Sequence, residues 1–302
     1  MTIRMDGQVA IVTGAGQGLG RTHALALAER GARIVVNDLG GARDGTGNSS
    51  AGAQSVVEEI KAAGGDAMAN SANVADSEQV IEMVASAMDK WGRIDILVNN
   101  AGILRDKSFH KMPLEDFQAV MDVHLTGTVN CTHAVWPIMR EQAYGRILFT
   151  SSSSGIFGNF GQSNYGTAKM GMVGLMNVLH IEGKKYDIRV NCLSPTAGTR
   201  MTEDIFPEQA LKMFAPELVS HGVVFLCGPD APSRKILAAG AGSFAVCRIE
   251  MTKSVHFSPA EISADAIKDA WQRIDSRENQ TEYMDGNQQG ADFAEQAVKS
   301  ME

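Results

Sequence analysis

Residues 8–30, QVAIVTGAGQGLGRTHALALAER, restrict the fold of this chain more than any other stretch. Gln8–Thr13 is a β-favouring apolar run and reads as a strand. Thr13-Gly14-Ala15-Gly16-Gln17-Gly18-Leu19-Gly20 follows, then an apolar-periodic segment to about Arg30 that reads as a helix. Glycines at 14, 18 and 20 allow a tight turn and close backbone approach. A helix that starts there directs free N–H groups at whatever fills the turn, and a pyrophosphate suits them.

The same alternation continues. Arg33–Asn37 reads as a second strand ending at Asp38. An acidic residue about 20 positions beyond such glycines is placed to hold a ribose 2′-hydroxyl and to repel a 2′-phosphate, which favours NAD over NADP. Arg43 lies nearby. Residues 40–52, GGARDGTGNSSAG, form a flexible polar insertion flanking the adenosine end. Residues 66–74 read as a third strand, with Asn73 and Val74 at its end to meet adenine. A helix covers Ser77–Trp91. The fourth strand, Ile94–Val98, runs into Asn99-Asn100-Ala101-Gly102, and small residues there bring backbone close to a ligand. A long helix is expected over Leu114–Glu141, a fifth strand at Ile147–Phe149, and a helix ending near Lys185. Ile188–Leu193 is the sixth strand, followed by a small-residue turn from Ser194 to Thr202 that holds Pro195, Ala197 and Thr199. Val223–Cys227 falls in another helix, residues 244–250 in a last strand, and a polar helix-prone tail begins after Ser258.

This pattern predicts an α/β protein: a single doubly wound, Rossmann-like parallel sheet with helices on both faces and a helical C-terminal extension. The expected division is a dinucleotide-binding domain over 1–255 and an extension of that domain over 256–302. Every small-residue motif falls at a strand's carboxyl end, where such folds bind ligands.

Chemistry concentrates in ILFTSSSSGIFGNFGQSNYGTAK, residues 147–169. The fifth strand ends in four serines, and Tyr165 and Lys169 sit four apart on a helix, sharing one face. A phenol ionises near ~10, and a neighbouring ammonium favours the phenolate. Tyr165 can then take a proton from an alcohol or return one to a ketone, while Ser152 holds the substrate oxygen. A Tyr-x-x-x-Lys pair is weak evidence alone; its place beside the other motifs gives it weight.

A formal net charge of −8 argues against nucleic acid as a partner, and no apolar run approaches a membrane span. The N-terminus enters a strand directly, so no signal peptide is expected. Cys131, Cys192, Cys227 and Cys247 are far apart in apolar surroundings, which implies free thiols and a reducing compartment. No metal-ligand spacing surrounds them or His124 and His133, so no metal is expected. Arg105, Lys107, His110 and Lys111 make either a solvated basic loop or an anion site; Arg200 is a further candidate. Phe157, Phe160, Ile205, Phe206, Leu211, Met213 and Phe214 line an apolar substrate cleft or belong to the core.

TGAGQGLG (13–20), NNAG (99–102), and Ser152 thirteen positions before Tyr165-x-x-x-Lys169 resemble the short-chain dehydrogenase/reductase family over residues 6–250. Within it, NDLGG (37–41), NNAGILRD (99–106), VHL (123–125), SGIFGNFGQSNY (154–165) and AGTRMT (197–202) are similar to the (3R)-hydroxyacyl-CoA dehydrogenase branch of type-two peroxisomal multifunctional β-oxidation enzymes, nearly to the chain's end. That resemblance implies NAD-dependent oxidation of a (3R)-hydroxyacyl-CoA to the 3-oxoacyl-CoA, in fatty-acid or steroid side-chain degradation, by a homodimer or homotetramer. It implies that Ser152 binds the substrate oxygen, Tyr165 is the acid/base, and Lys169 tunes Tyr165 and holds the nicotinamide ribose. Gly14, Gly18, Leu19 and Gly20 then cradle the pyrophosphate, and Asp38 binds the adenosine ribose. Asn73 and Val74 meet adenine, and Asn100, Ala101, Gly102, Pro195, Ala197 and Thr199 lie along the nicotinamide half. Two positions depart from the wider family: His124 stands where many members have Asn, and Asn73 where Asp is usual. No hydratase or sterol-carrier segment follows, and the ending Ser-Met-Glu is no peroxisomal address, so a cytoplasmic enzyme is expected. The rival readings are a 17β-hydroxysteroid dehydrogenase acting on a free steroid, a 3-oxoacyl-carrier-protein reductase, which Asp38 disfavours, and a non-catalytic cofactor-binding regulator.

Overall fold

The structure, a computed structural model, describes residues 2–199 and 208–300. Eight strands form one sheet: β1 (Val9–Thr13), β2 (Arg33–Asn37), β3 (Ala67–Asn70), β4 (Ile96–Asn99), β5 (Gly145–Thr150), β6 (Ile188–Thr196), β7 (Ile236–Gly240) and β8 (Ser243–Cys247). Their spatial order is β3-β2-β1-β4-β5-β6-β7-β8, and β1 to β7 pair in parallel. The central strands are buried along their whole length. Both faces are covered, which is why these strands read as continuous apolar runs rather than alternating ones.

Helices α1 (Gly18–Glu29), α2 (Ala51–Ala62), α3 (Ser77–Trp91), α4 (Leu114–Met121), α5 (Gly127–Gln142), α6 (Ser153–Ile156), α7 (Ser163–Gly183), α8 (Glu208–Met213) and α9 (Pro216–Leu226) connect the strands. On one face, Leu27 of α1, Val56, Val57 and Ile60 of α2, and Val219 and Val223 of α9 pack with Val12, Ile34, Val36, Ile96 and Val98 of the sheet. Such fully buried aliphatic side chains contribute ~1.5–3 kcal/mol each. Helices α5 and α7 cover the opposite face, with α3 against α5 and α4 against α7. Helix α3 shows how local chemistry sets the ends. Asp76 accepts from the N–H groups of Glu78 and Gln79, and Gly92 closes the helix at φ 72°.

Three details differ from the sequence reading. The expected helix over Leu114–Glu141 is interrupted at Asp122–Thr126 by a π turn that carries His124. Such widened turns often mark functional positions. Strand β7, ILAAG, is not legible in the sequence because Ala and Gly have low strand propensity; its parallel register with Cys192–Thr196 imposes the strand. The strand expected at 244–250 is the edge strand β8, which follows β7 through Ala241 and Gly242, both at positive φ as a two-residue hairpin turn requires.

The chain divides into two compact units, 1–246 and 247–302. The second carries α10 (Ala264–Asp269), α11 (Trp271–Ile274) and α12 (Gly286–Lys299). Met251 pairs with Thr281 in an isolated antiparallel bridge, and Asp285 caps α12. Among the described residues, no helix is long and apolar enough to cross a membrane.

Candidate active site

From β1 the chain moves outward to β2 and β3, then returns to β4 on the other side of β1. Loops leaving β1 and β4 therefore diverge, and a crevice opens at the carboxyl ends of the strands. A cavity of about 610 Å³ lies there. Gly14, Gly18, Leu19, Gly20, Asp38, Asn73, Val74, Asn100, Ala101, Gly102, Ser152, Tyr165, Lys169, Pro195, Ala197 and Thr199 all line it.

The glycine turn is held by its neighbours. A Cβ on Gly14 would come within 2.8 Å of Ala101 Cα, and one on Gly20 within 2.1 Å of the Gly14 carbonyl oxygen. Asn100 clamps the turn: its Nδ2 donates to the carbonyls of Thr13 (2.9 Å) and Gly14 (3.0 Å). The Thr13 hydroxyl accepts from the N–H groups of Asn100 and Ala101, tying β1 to β4. Helix α1 begins without a side-chain cap, and Gly18, Leu19 and Gly20 of its first turn line the cavity. At the end of β2, Asp38 accepts from the N–H of Gly16 (2.7 Å) and of Gly40 (2.6 Å), which fixes its carboxylate at the cavity wall. Asn73 caps the next turn through the N–H of Ala75, so an amide serves where a carboxylate is usual.

Strand β5 and helix α7 supply the reactive groups. Ser152 lies two residues past the end of β5, as the N-cap of α6, nearly buried, and its Oγ accepts from the N–H of Ser154. Tyr165 and Lys169 project from α7 one turn apart. The buried Lys169 Nζ donates to the Thr150 carbonyl and lies 5.3 Å from the Tyr165 ring centre. Burial drives its pKa down to about 7. Burial also pushes Tyr165 up to about 12, against the pull of its hydrogen bond with Ser152, while the Asp106 charge pushes it further up. In this arrangement desolvation, not the neighbouring ammonium, has the larger effect on the phenol, contrary to the expectation from sequence.

His124 stands edge-on to Tyr165, with ring centres 5.1 Å apart at 90°. Its Nε2 lies against the Ile103 backbone, 2.8 Å from the oxygen and 3.1 Å from the nitrogen. Burial and the Lys169 charge keep it neutral, with a pKa well below the ordinary value. A Cβ at Gly102 would meet the imidazole at 2.2 Å, so the NNAG glycine makes room for this ring. His124 Nδ1 and the Thr150 hydroxyl are buried without partners among the described residues, and both residues line the cavity. The cavity therefore suits a ligand with polar groups at that depth. Together with the uncapped helix end and the anchored Asp38, it has the donors and acceptors that a dinucleotide needs.

Other expectations are not met. Among the candidate cations, Arg105 lines the cavity but pairs with Asp116 at 3.1 Å, as does Lys107 at 3.3 Å. Lys111 is exposed and does not line the cavity. One carboxylate thus balances much of that loop's charge. Phe157 (75% exposed), Phe160 (89%) and Met213 (63%) belong to neither core nor cavity. Leu211 and Phe214 are half-buried and do not line the cavity. Arg200, Met201, Thr202, Ile205 and Phe206 lie outside the described residues. Sequence reasoning misses Thr13, Gly16 and Thr150, whose backbone or hydroxyl groups fix the site, and Asp106, Ser154, Asn159 and Gln162, which line it. QSNY, immediately before the turn of Lys169, is the available signal for Gln162.

The short-chain dehydrogenase family model matches residues 8–210. A short-chain type dehydrogenase/reductase of Mycobacterium tuberculosis is 51% identical over 236 residues, covering 78% of this chain and 82% of that protein. The chain belongs to the short-chain dehydrogenase family. Peroxisomal multifunctional enzyme type 2 of Drosophila melanogaster is 45% identical over 276 residues, 90% of this chain and 46% of the fly protein. Its full-length structure superposes with a TM-score of 0.82 and 36% identity, over 98% of this chain and 50% of that one. The present chain thus spans about half of that multifunctional protein. A 7α-hydroxysteroid dehydrogenase solved with NADH and 7-oxo glycochenodeoxycholic acid superposes with a TM-score of 0.72 and 29% identity, over 80% of this chain and 95% of that one. The short-chain dehydrogenase described here is accordingly an oxidoreductase built on the dehydrogenase-like fold of the type 2 multifunctional enzymes.

Proposed function

We propose that this short-chain dehydrogenase oxidises (3R)-hydroxyacyl-CoA to 3-oxoacyl-CoA with NAD. One observation carries the reading. Ser152, Tyr165 and Lys169 converge on the same cavity as the glycine turn and Asp38, in a chain whose likeness to a type 2 multifunctional enzyme runs through 98% of its length. Gly14, Gly18, Leu19 and Gly20 hold the pyrophosphate, Asp38 the adenosine ribose, Asn73 and Val74 the adenine. Asn100, Ala101, Gly102, Pro195, Ala197 and Thr199 flank the nicotinamide half. When bound, NAD supplies the hydride acceptor.

The chain's own residues handle the oxygen and its proton. Ser152 binds the substrate hydroxyl and Tyr165 takes its proton, or returns one to a ketone. Burial holds Tyr165 up to about 12, so the neutral donor form prevails at neutral pH and oxidation gains with rising pH. Lys169 provides an adjacent amine, brought by burial to a pKa of about 7, and a ribose contact. His124 supports the Tyr165 ring from its edge. Residues 1–255 act as the NAD-binding domain and 256–302 as its helical extension, in a homodimer or homotetramer. Three of the four cysteines are buried free thiols, which supports residence in a reducing compartment such as the cytoplasm.

The likeness to a 7α-hydroxysteroid dehydrogenase supports a second reading, a free hydroxysteroid as substrate. The test measures NADH formation from a (3R)-hydroxyacyl-CoA, the matching free hydroxy acid and a 17β-hydroxysteroid at equal concentration. Clear preference for the CoA ester is expected. Equal or better turnover of the steroid transfers the assignment to the second reading.

A further inference from the structure

Gln162 occupies the N-cap position of α7, three residues before Tyr165, yet its side chain makes no capping bond. Ser, Thr, Asp or Asn is usual at such a position because it satisfies the helix's first N–H groups. Here the amide is directed elsewhere. Its Nε2 donates to Asp106 Oδ2 at 2.6 Å. Its Oε1 accepts from Ser154 Oγ at 2.7 Å and Asn159 Nδ2 at 3.1 Å. A carboxylate only accepts, so Asp106 determines which end of the amide faces it. The Gln162 oxygen is doubly occupied. One N–H of Gln162 and one of Asn159 are without partners among the described residues, and both residues line the cavity beside Ser152 and Tyr165.

The cluster is held from several sides. Asn164 Nδ2 donates to the Arg105 carbonyl, and the Lys107 N–H donates to the Gly161 carbonyl. The loop that carries Asp106 is therefore anchored to the start of the helix that carries Tyr165 and Lys169. Gln162 stands at the start of that helix, three residues before Tyr165. Tyr165 and Ser152 serve one oxygen of the substrate, and the spare amide donors suit a second oxygen that only accepts. A 3-hydroxyacyl thioester has such an oxygen, its carbonyl, in 1,3 relation to the reacting alcohol. A simple secondary alcohol has none.

We propose that Gln162, oriented by Asp106, donates a hydrogen bond to the thioester carbonyl and thereby selects 3-hydroxyacyl esters. Gln162 is a substrate-binding residue and Asp106 a positioning residue. This inference rests on the hydroxyacyl-CoA reading above.

The experiment compares kcat/KM for a 3-hydroxyacyl-CoA with that for the matching thioether, which has CH2 in place of the carbonyl. It uses the full chain, unmodified and as Gln162→Met and Asp106→Asn, with NADH binding and thermal melting as checks of the fold. In the unmodified protein the thioester is preferred. Gln162→Met keeps the volume and removes the donors, so the thioester-to-thioether ratio falls about tenfold, mainly through KM. Asp106→Asn lowers the ratio less, because an amide no longer dictates the orientation of Gln162. If Gln162→Met does not fold, Gln162→Leu is read instead; it likewise removes the donors, with the same fall expected. A ratio unchanged in the folded variant, or no preference in the unmodified protein, overturns the inference while the functional reading stands. No turnover of either CoA compound overturns the functional reading and this inference together.

Discussion

Replacing Lys169 with Met should inactivate the enzyme and stabilise it, with a stabilisation that depends on pH in a defined way. Lys169 is 2% exposed, and its Nζ has the Thr150 carbonyl as its hydrogen-bond partner. Burial lowers its pKa from 10.5 to about 7. At about 1.36 kcal/mol per pKa unit, a fall of roughly 3.5 units costs the folded ammonium about 5 kcal/mol. The sign follows from proton binding. Between pH 7 and 10.5 the unfolded chain holds a proton on this amine that the folded chain has released, so stability rises with pH across that window. Below about 7 both forms are protonated and the full cost remains. The Lys169→Met variant would have no such slope. The substitution removes the charge, keeps the volume, and leaves the Thr150 carbonyl short of a donor, at about 1–3 kcal/mol. The net gain near neutral pH is then about 2–4 kcal/mol, and it shrinks by about 1.4 kcal/mol per pH unit as the pH is raised. Urea unfolding of both proteins from about pH 6 to 10 measures the difference, in which titrating groups not coupled to Lys169 cancel. Parallel stability curves would refute the reasoning, because they would mean that burial imposes no cost on this ammonium. A positive result explains the residue as a functional group retained against the interest of the core.

Tyr165→Phe keeps the ring against His124 and removes the proton-exchanging hydroxyl, so kcat falls ~10²–10⁴-fold while NADH binding persists; more than a tenth of the activity remaining would exclude Tyr165 as acid/base. In the unmodified protein, kcat/KM for oxidation climbs steadily through the alkaline range, since burial holds Tyr165 up to about 12; a plateau already reached at neutral pH contradicts that. NAD is preferred over NADP at least ~10-fold because Asp38 disfavours a second anion, and Asp38→Ala narrows the gap while loosening the Gly16 and Gly40 N–H groups it holds; equal kcat/KM for the two cofactors in the unmodified protein refutes the assignment.

Local sequence determined the layers, the order of most strands and the residues at their carboxyl ends. Apolar runs closed by small residues are a short-range signal, and Gly14 and Gly20 declare in sequence the close approach that any Cβ would prevent. The four-residue spacing of Tyr165 and Lys169 likewise needs only helix geometry. Tertiary structure alone decided the rest. Strand β7 exists because β6 offers a partner, although ILAAG has little strand character of its own. Asp116 takes up the charge of Arg105 and Lys107, a pairing between a loop and a helix that no spacing rule anticipates. Phe157 and Phe160 are apolar by composition but face outward. The balance of proton affinities also lies beyond the sequence: two residues on one helix face imply an ammonium easing a phenol's ionisation, yet enclosure by the surrounding elements opposes charge on both. Periodicity is carried by the chain's nearest neighbours, whereas desolvation and ion pairing depend on everything that folding brings alongside them.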